Sequence, residues 1–477
     1  MYSKAAYIKF LFYNNIMIKK ICILLFVLFF GIETFAFDIV YPKKNNVTIN
    51  ASSTFFIGSS SEPLKINGQD VPVHESGGFA YVVDLKQGEN TFFIESDSDM
   101  QRYVITRPVI KNGTFKPAEL KIFESLKSFY VINDNSPLRT TPVDAGINRI
   151  SHLQRGILIN ADAEKGGFYR IPVSKDKYYW IAKTDVKSKE TVDTVPAQIL
   201  GFEFAQTPEY YIFTYHLTKP VPFEILEEKP LTLKFYNVVS DREEIKTDNN
   251  IYTKEFPINY DLIGYSGKYS DNDFVWKIRK EPKPNLRHPL KGITVVVDAG
   301  HGGSEFGAMG CFKDKEKDIN LDIAQHLVNY LKHYGAKVIL TRNDDSYLSL
   351  KSRVDITNNN DAQVFISIHA NALPDCSDPN KIHGAETYYY YNQSKNLAQT
   401  ILNKMVLQLG LNDNKVHQAS FAVVRNTSAL SVLIETAYLI NPEDSAKLTQ
   451  PEFREKCAKS IASGINEYFL NLYAQNP

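Results

Sequence analysis

Residues 292–307 read GITVVVDAGHGGSEFG, and this stretch decides the fold of the C-terminal part of the chain. Its apolar, mostly β-branched run predicts a short buried strand. The strand ends abruptly at Asp298, and a loop of glycines around His301 follows. Glycine lets other groups come close to the backbone. We therefore expect a bound group to approach the chain beside this histidine.

Predicted strands and helices alternate from this stretch to the end of the chain. The strands are expected at 293–298, 336–342, 362–371 and 430–436, and the amphipathic helices at 320–335, 395–410 and 451–473. Such alternation is typical of α/β domains, in which helices flank the sheet. We predict a multidomain protein in which residues 291–477 form an α/β domain with a mostly parallel sheet.

Two histidines and a glutamate follow or end the predicted strands. They are His301, His369 and Glu435, and Glu316 lies just ahead of the first helix. In open α/β sheets, ligands bind at the carboxyl ends of parallel strands. Each residue alone is more often a turn residue, a strand-end residue or a solvated charge than a ligand. Together, imidazoles and carboxylates without cysteine predict a catalytic site for one Zn²⁺ ion.

Several motifs occur in an order that is known from one family. They include VVVDAGHGGSEFGAMG (295–310), KEKDINLDIA (315–324), VILTRNDDSYLSLKSRV (338–354), VFISIHANA (364–372), GAETYYYY (384–391) and VVRNTSALSVLIETAYLINPED (423–444). These motifs resemble the zinc-dependent N-acetylmuramoyl-L-alanine amidases of bacterial cell walls. The resemblance implies that His301, Glu316 and His369 hold the zinc and that Glu435 is the catalytic carboxylate. It also implies hydrolysis of the amide bond between N-acetylmuramic acid and L-alanine of the peptidoglycan stem peptide.

Two other functions are weighed against this one. The first is a different zinc amidohydrolase or peptidase that acts on wall peptides, and the second is a non-catalytic wall-binding protein. A complete set of ligands argues against the second. Some relatives carry an autoinhibitory helix after the strand that holds the second histidine. Here the segment between Ala372 and Gly384 is too short and too polar for such a helix, which predicts an open cleft.

The residues ahead of this domain are predicted to form all-β modules. Residues 37–117 resemble an immunoglobulin-like β-sandwich, with short alternating strands and turn signals. Residues 118–190 resemble a bacterial SH3-like barrel, and residues 191–280 resemble AMIN-type targeting domains. The Pro-rich residues 281–290 are predicted to be a linker. Two roles stay open for the modules: binding the wall or a divisome protein, and serving as spacers.

Residues 1–36 are typical of a signal peptide. Lys19 and Lys20 precede an apolar run of 11 residues, small residues end at Ala36, and Met17 would give a signal of ordinary length. We therefore expect an exported protein, periplasmic or extracellular, without a stable membrane span once the signal is removed. Lys plus Arg equals Asp plus Glu, 54 against 54, so nucleic acid is not an expected partner. The three cysteines beyond the signal allow one disulfide at most.

Overall fold

The computed structural model of the protein describes residues 36–109 and 117–475. The predicted signal peptide lies outside the described residues, apart from Ala36. Within the described ranges, no helix combines the length and the apolar character that crossing a bilayer requires.

The first β region has two sheets that share one hydrophobic core. Its strands are β1 (Phe37–Tyr41), β2 (Asn46–Thr48), β3 (Ser53–Ser60), β4 (Leu64–Ile66), β5 (Gln69–Val71), β6 (Gly78–Asp84), β7 (Gly88–Glu95) and β8 (Met100–Arg107). One sheet has the order β1-β3-β6 and the other the order β2-β8-β7-β4-β5. Alternate residues of both sheets, such as Phe56 and Ile94, are buried in the core. The identity of this region as an immunoglobulin-like module stays a prediction.

The next two predicted modules share a single hydrophobic core. The first contains β9 (Leu120–Val131), β10 (Ser136–Arg139), β11 (Arg149–Leu153), β12 (Leu158–Lys165), β13 (Phe168–Ser174), β14 (Lys177–Ala182) and β15 (Val186–Ser188), in one sheet of order β11-β10-β14-β13-β12-β9-β15. The second contains β16 (Ala197–Gln206), β17 (Tyr210–Leu217), β18 (Phe223–Leu226), β19 (Leu231–Tyr236), β20 (Val238–Val239), β21 (Thr247–Asp248), β22 (Ile251–Phe256), β23 (Tyr265–Ser270) and β24 (Asp273–Arg279). These strands form sheets of order β20-β16-β17-β24-β23 and β18-β19-β22-β21. One buried cluster runs from Phe129 to Ile278, so the two modules pack together as a unit.

The C-terminal region alternates strands and helices, as the sequence predicts. It contains β25 (Thr294–Ala299), α1 (Glu316–His333), β26 (Lys337–Leu340), α2 (Leu350–Asn359), β27 (Val364–Asn371), β28 (Ala385–Tyr389), α3 (Lys395–Leu409), β29 (Asp413–Gln418), β30 (Leu430–Tyr438), α4 (Pro442–Leu448) and α5 (Pro451–Gln475). The predicted linker, 281–290, has neither helix nor strand. It packs against the domain, because Leu290 is fully buried and Tyr473 donates a hydrogen bond to the Pro289 carbonyl.

The central sheet is mixed, with the order β26-β25-β27-β30-β28-β29. Four of its pairings are parallel, and β28 runs antiparallel to β30. The reversal arises because residues 372–384 connect β27 to β28 without a helix, whereas a parallel return needs a crossover. In β25, Val295 and Val297 face the core that contains α1, α3 and α5, while Val296 joins the core on the other face. Burial on both faces explains why this strand is uniformly apolar.

Candidate metal centre

Three of the side chains selected from the sequence converge at one edge of the sheet. The Nε2 atom of His301 lies 3.1 Å from Oε2 of Glu316, and Nδ1 of His369 lies 2.9 Å from Oε1 of the same carboxylate. One ligand atom from each residue lies within 4.8 Å of the other two, a spacing that a single ion can span. Two imidazoles and one carboxylate are a donor set that zinc accepts, and three protein ligands leave a coordination position for water or substrate.

Each of the three residues is presented by a different element. His301 follows β25 and has a φ angle of 61°, a left-handed conformation that is uncommon for a residue with a side chain. Glu316 is the first residue of α1, and its carboxylate also accepts a hydrogen bond from the Ala308 amide at 2.8 Å. His369 is on β27, next to the amide of Ala370, which binds Glu316 at 3.3 Å. A loop, a helix end and a strand end therefore hold the centre together.

The glycines of the opening stretch make room for the ligands themselves. A Cβ atom on Gly300 would overlap the imidazole of His369, 2.8 Å from Nδ1. A Cβ atom on Gly307 would lie 2.7 Å from Cδ2 of His301 and would overlap the carboxylate of Glu316. The expectation that these glycines admit an incoming group thus needs a correction. At these two positions the group that approaches the backbone is a neighbouring side chain of the same site.

The charge of Glu316 is stabilised although its side chain is only 7% exposed. Burial by itself raises the pKa of this carboxyl group, but hydrogen bonds and charge interactions with His301 and His369 outweigh it and hold the pKa well below the usual value. Glu316 is therefore an anion that faces two imidazoles. Such a group offers a negative ligand to a cation.

Glu435 lies next to the three proposed ligands, because it is the residue of β30 that pairs with His369 of β27. Its Oε2 atom is buried and has no hydrogen-bond partner among the described residues. Burial, followed by the negative charges of Glu316 and Glu386, raises the pKa of Glu435 well above its ordinary value. Burying a carboxyl oxygen without a partner is costly for the fold, which makes Glu435 a candidate for a functional role.

Glu386 is a further member of the site that the sequence reasoning missed. It stands opposite Glu435 across the antiparallel β28–β30 pairing. Its Oε1 accepts hydrogen bonds from the hydroxyls of Tyr388 and Tyr438 at 2.9 and 3.0 Å, and from the amide of Asn371. In the sequence, Glu386 stands out only as part of the family motif GAETYYYY. The signal that could have identified Glu386 is a charged residue in an otherwise apolar and aromatic strand.

Two buried arginines hold the loop that carries His301, and the sequence reasoning gave neither a role. Arg353 binds Asp298 at 2.5 Å and donates to the carbonyls of Ala299 and His301 at 2.8 Å. Arg342 donates to the carbonyls of Ala299 and Gly300 at 2.9 Å. Backbone carbonyls that face a guanidinium are fixed in position, so these arginines set the path of the chain from β25 to the first histidine.

A large cavity of about 760 Å³ lies elsewhere, between the C-terminal α/β domain and the two modules of strands β9 to β24, which together are called the second β unit. Its walls include Ala362 and Ser428, which precede β27 and β30, and Arg149 of β11. The histidines and Glu435 are near the opposite ends of β27 and β30. This cavity is therefore distinct from the metal centre.

The C-terminal domain is similar to known amidases. Residues 295–467 match the family described as N-acetylmuramoyl-L-alanine amidase. The amidase LytC of Bacillus subtilis (strain 168) is 39% identical over 188 residues, which are 39% of this chain and 37% of LytC. The germination-specific N-acetylmuramoyl-L-alanine amidase of the same organism is 33% identical over 225 residues, 44% of this chain and 90% of that protein. Among solved structures, the amidase AmiC2 of Nostoc punctiforme is 32% identical with a TM-score of 0.36, covering 39% of this chain and 99% of that one.

The family match contains His301, Glu316, His369 and Glu435. The chain covers nine-tenths of the germination-specific amidase but only about a third of LytC. The chain belongs to the N-acetylmuramoyl-L-alanine amidase family of peptidoglycan hydrolases.

Proposed function

We propose that the amidase domain hydrolyses the bond between N-acetylmuramic acid and L-alanine with one zinc ion, held by His301, Glu316 and His369. The observation that carries this proposal is the convergence of the three ligand atoms beside the unpartnered Oε2 of Glu435. The donor types fit zinc, and backbone amides hold both carboxylate oxygens of Glu316, Oε2 through Ala308 and Oε1 through Ala370. When bound, zinc polarises a carbonyl group and lowers the pKa of water.

Glu435 is the residue proposed to move protons. Amide hydrolysis requires a base that takes a proton from the attacking water and an acid that protonates the departing nitrogen. A carboxylate whose pKa is raised is a stronger base than an ordinary one, and once protonated it can return the proton to the leaving nitrogen. Burial, and then the negative charges of Glu316 and Glu386, keep that pKa high.

The remaining residues of the centre orient these groups. Arg353 and Arg342 fix the backbone around His301, and Asn320 approaches both the Gly300 carbonyl and Glu316 at 3.4 Å. Thr436 donates a hydrogen bond to the carbonyl of His369 at 3.0 Å, which ties β27 to β30 at the site. These hydrogen bonds fix the backbone around the ligands, as precise catalysis requires.

Peptidoglycan lies outside the cytoplasm, so we further propose that the chain is exported and that residues 1–36 direct the export. The β modules are proposed to act on the wall side of the membrane together with the amidase domain.

Metal content tests the ligand assignment directly. The full chain, stripped of metal and reloaded with zinc, is expected to hold one equivalent by elemental analysis. His301→Ala should hold far less, whereas His333→Ala, an exposed histidine at the end of α1, should bind like the unaltered chain. Full retention of zinc by His301→Ala would refute the proposed ligand set.

A further inference from the structure

The first β region packs against the loops on both sides of the metal centre. On one side, Lys313 binds Asp38 at 2.8 Å, and the Sγ of Cys311 contacts the Phe79 carbonyl at 3.8 Å. These two residues belong to the loop between His301 and Glu316. Phe55 and Ile57 of β3 bury Cys311 in a small apolar cluster. The contact is therefore a packed interface.

The second loop, which follows His369, is held by the same β region. The hydroxyls of Tyr41 and Thr54 donate to Oδ1 of Asp375 at 3.0 and 2.6 Å. The amide of Asn380 donates to the Ala80 carbonyl at 3.0 Å. The β region thus bridges the loops that carry or follow the proposed ligands, and it forms one rim of the cleft between them.

One lysine of the first β region contacts the loop between His301 and Glu316. The ammonium group of Lys43 lies 4.0 Å from the ring centre of Phe306, within the range of a cation–π contact. Phe306 directly precedes Gly307, whose Cα leaves no room for a Cβ beside His301 and Glu316. Lys43 thus contacts Phe306, and the next residue, Gly307, lies against two of the proposed ligands. Lys43 also lines a cavity of about 560 Å³ whose lining residues all belong to the first β region.

The lining of this cavity is cationic and rich in amides. It includes Lys43, Lys44 and Arg102 together with Asn45, Asn46 and Gln101, and no acidic side chain lines it. Within residues 36–109 and 117–475, none of the three cations forms an ion pair with an acidic side chain, and Asp38 nearby is bound by Lys313. Unpaired cations beside a cleft attract an anionic group.

We infer that Lys43, Lys44 and Arg102 form a subsite of the amidase cleft that binds the carboxylates of the stem peptide. The inference rests on the proposed function, because a stem peptide at the metal centre ends in a carboxylate that has to lie somewhere along the rim. Ammonium and guanidinium groups form charge-assisted hydrogen bonds with carboxylates, and the neighbouring amides can bind peptide groups. The first β region then contributes to substrate binding instead of serving only as a spacer.

Steady-state kinetics of the full chain test this subsite. The substrates are a soluble N-acetylmuramoyl stem peptide with free peptide carboxylates and the same compound with all of them converted into carboxamides. The unaltered chain should show a KM about tenfold lower for the free acid, and the ratio should shrink as salt is raised. In the triple variant Lys43→Gln/Lys44→Gln/Arg102→Gln the two KM values should become equal, with kcat within about twofold of the original.

Lys65→Gln is the control, because it removes one positive charge from β4, which is separated from β8 by β7 in the sheet. It should leave both KM values unchanged. Equal KM values for the two substrates with the unaltered chain, or a triple variant that loses kcat while keeping the KM ratio, would overturn the subsite alone. No turnover of either substrate by the unaltered, zinc-loaded chain would overturn the proposed function and the subsite with it.

Discussion

His369 and Glu435 are register partners on the adjacent parallel strands β27 and β30. Side chains at paired positions of neighbouring strands project from the same face of a sheet. The strand pairing therefore places the His369 imidazole, which contacts Glu316, next to the Glu435 carboxyl group, whose Oε2 has no partner among the described residues. His369 is proposed to bind the metal and Glu435 to transfer protons, so substitutions at the two positions should have different effects.

Glu435→Gln should abolish hydrolysis without releasing the metal. Glutamine has the size of glutamate but cannot take up a proton, and losing a general base costs about 10²- to 10⁴-fold in rate. We expect kcat to fall by that amount while the zinc content, measured by elemental analysis, stays at one equivalent. Glu443→Gln, on the exposed face of α4, is the control and should be fully active. Turnover by Glu435→Gln close to that of the control would remove the proposed role.

Gly300→Ala should weaken metal binding through His369. The added methyl group would overlap the imidazole ring, so the ring has to leave its position beside Glu316. Zinc affinity, measured by competition with a chromophoric chelator, is expected to fall by about 10- to 100-fold. This is the loss seen when a residue that orients a metal ligand is removed. Gly167→Ala introduces the same methyl group into open space and should have no effect. Unchanged affinity in Gly300→Ala would show that His369 is not a ligand in the observed position.

Arg353→Met should destabilise the domain that carries the centre. Asp298 is 1% exposed, and without its cationic partner this buried carboxylate keeps, among the described residues, the hydroxyls of Thr341 and Ser367 as side-chain donors. Breaking a buried pair in this way costs about 3–5 kcal/mol. The free energy of unfolding, from urea titration followed by fluorescence, should fall by this amount. In Lys351→Met, which breaks an exposed pair with Asp355 on the same helix, the change should stay below about 1 kcal/mol.

Glu227 should make stability depend on pH in the second β unit. Burial raises the pKa of this carboxyl group to about 7, and its Oε1 has no partner among the described residues. Between about pH 4.5 and 7 the folded chain retains the proton while the unfolded chain has lost it. The stabilisation is thus complete below pH 4.5 and is lost as pH rises through 7, by up to about 3 kcal/mol at ~1.4 kcal/mol per pKa unit.

Urea midpoints of the unaltered chain and of Glu227→Gln, measured across this pH range, test that expectation. The variant should lack the part of the decrease that comes from Glu227, since glutamine does not titrate. Glu228→Gln, the exposed neighbour, should follow the unaltered chain. Parallel curves for the unaltered chain and Glu227→Gln would contradict the assigned titration.

The sequence predicts the α/β domain well because its signals are local. The apolar runs of β25, β27 and β30 and the amphipathic pattern of α1 are visible within a few residues. The convergence of His301, His369 and Glu435 follows from the rule for carboxyl ends of parallel strands. Strand β30 extends two residues further than expected, to Tyr438, so that Glu435 lies three residues before its end.

The features that were not predicted depend on long-range packing. Glu386 enters the site because β28 is inserted antiparallel beside β30, and a local pattern does not show the order of strands. Arg342 and Arg353 look like solvated charges in the sequence, but they are buried against backbone carbonyls. The shared core of the two middle β modules and the contact of Asp375 with Tyr41 join residues far apart in the chain. The expected lack of a helix between Ala372 and Gly384 is observed, and open access to the cleft stays a prediction.

Product identification tests the central claim most directly. The full chain is incubated with isolated peptidoglycan, with and without a zinc chelator, and mass spectrometry identifies the soluble products. We expect free stem peptides that begin with L-alanine, lost on chelation and restored by added Zn²⁺. Shortened peptides that remain attached to sugar, or release of stem peptides that chelation does not affect, would contradict a zinc-dependent N-acetylmuramoyl-L-alanine amidase.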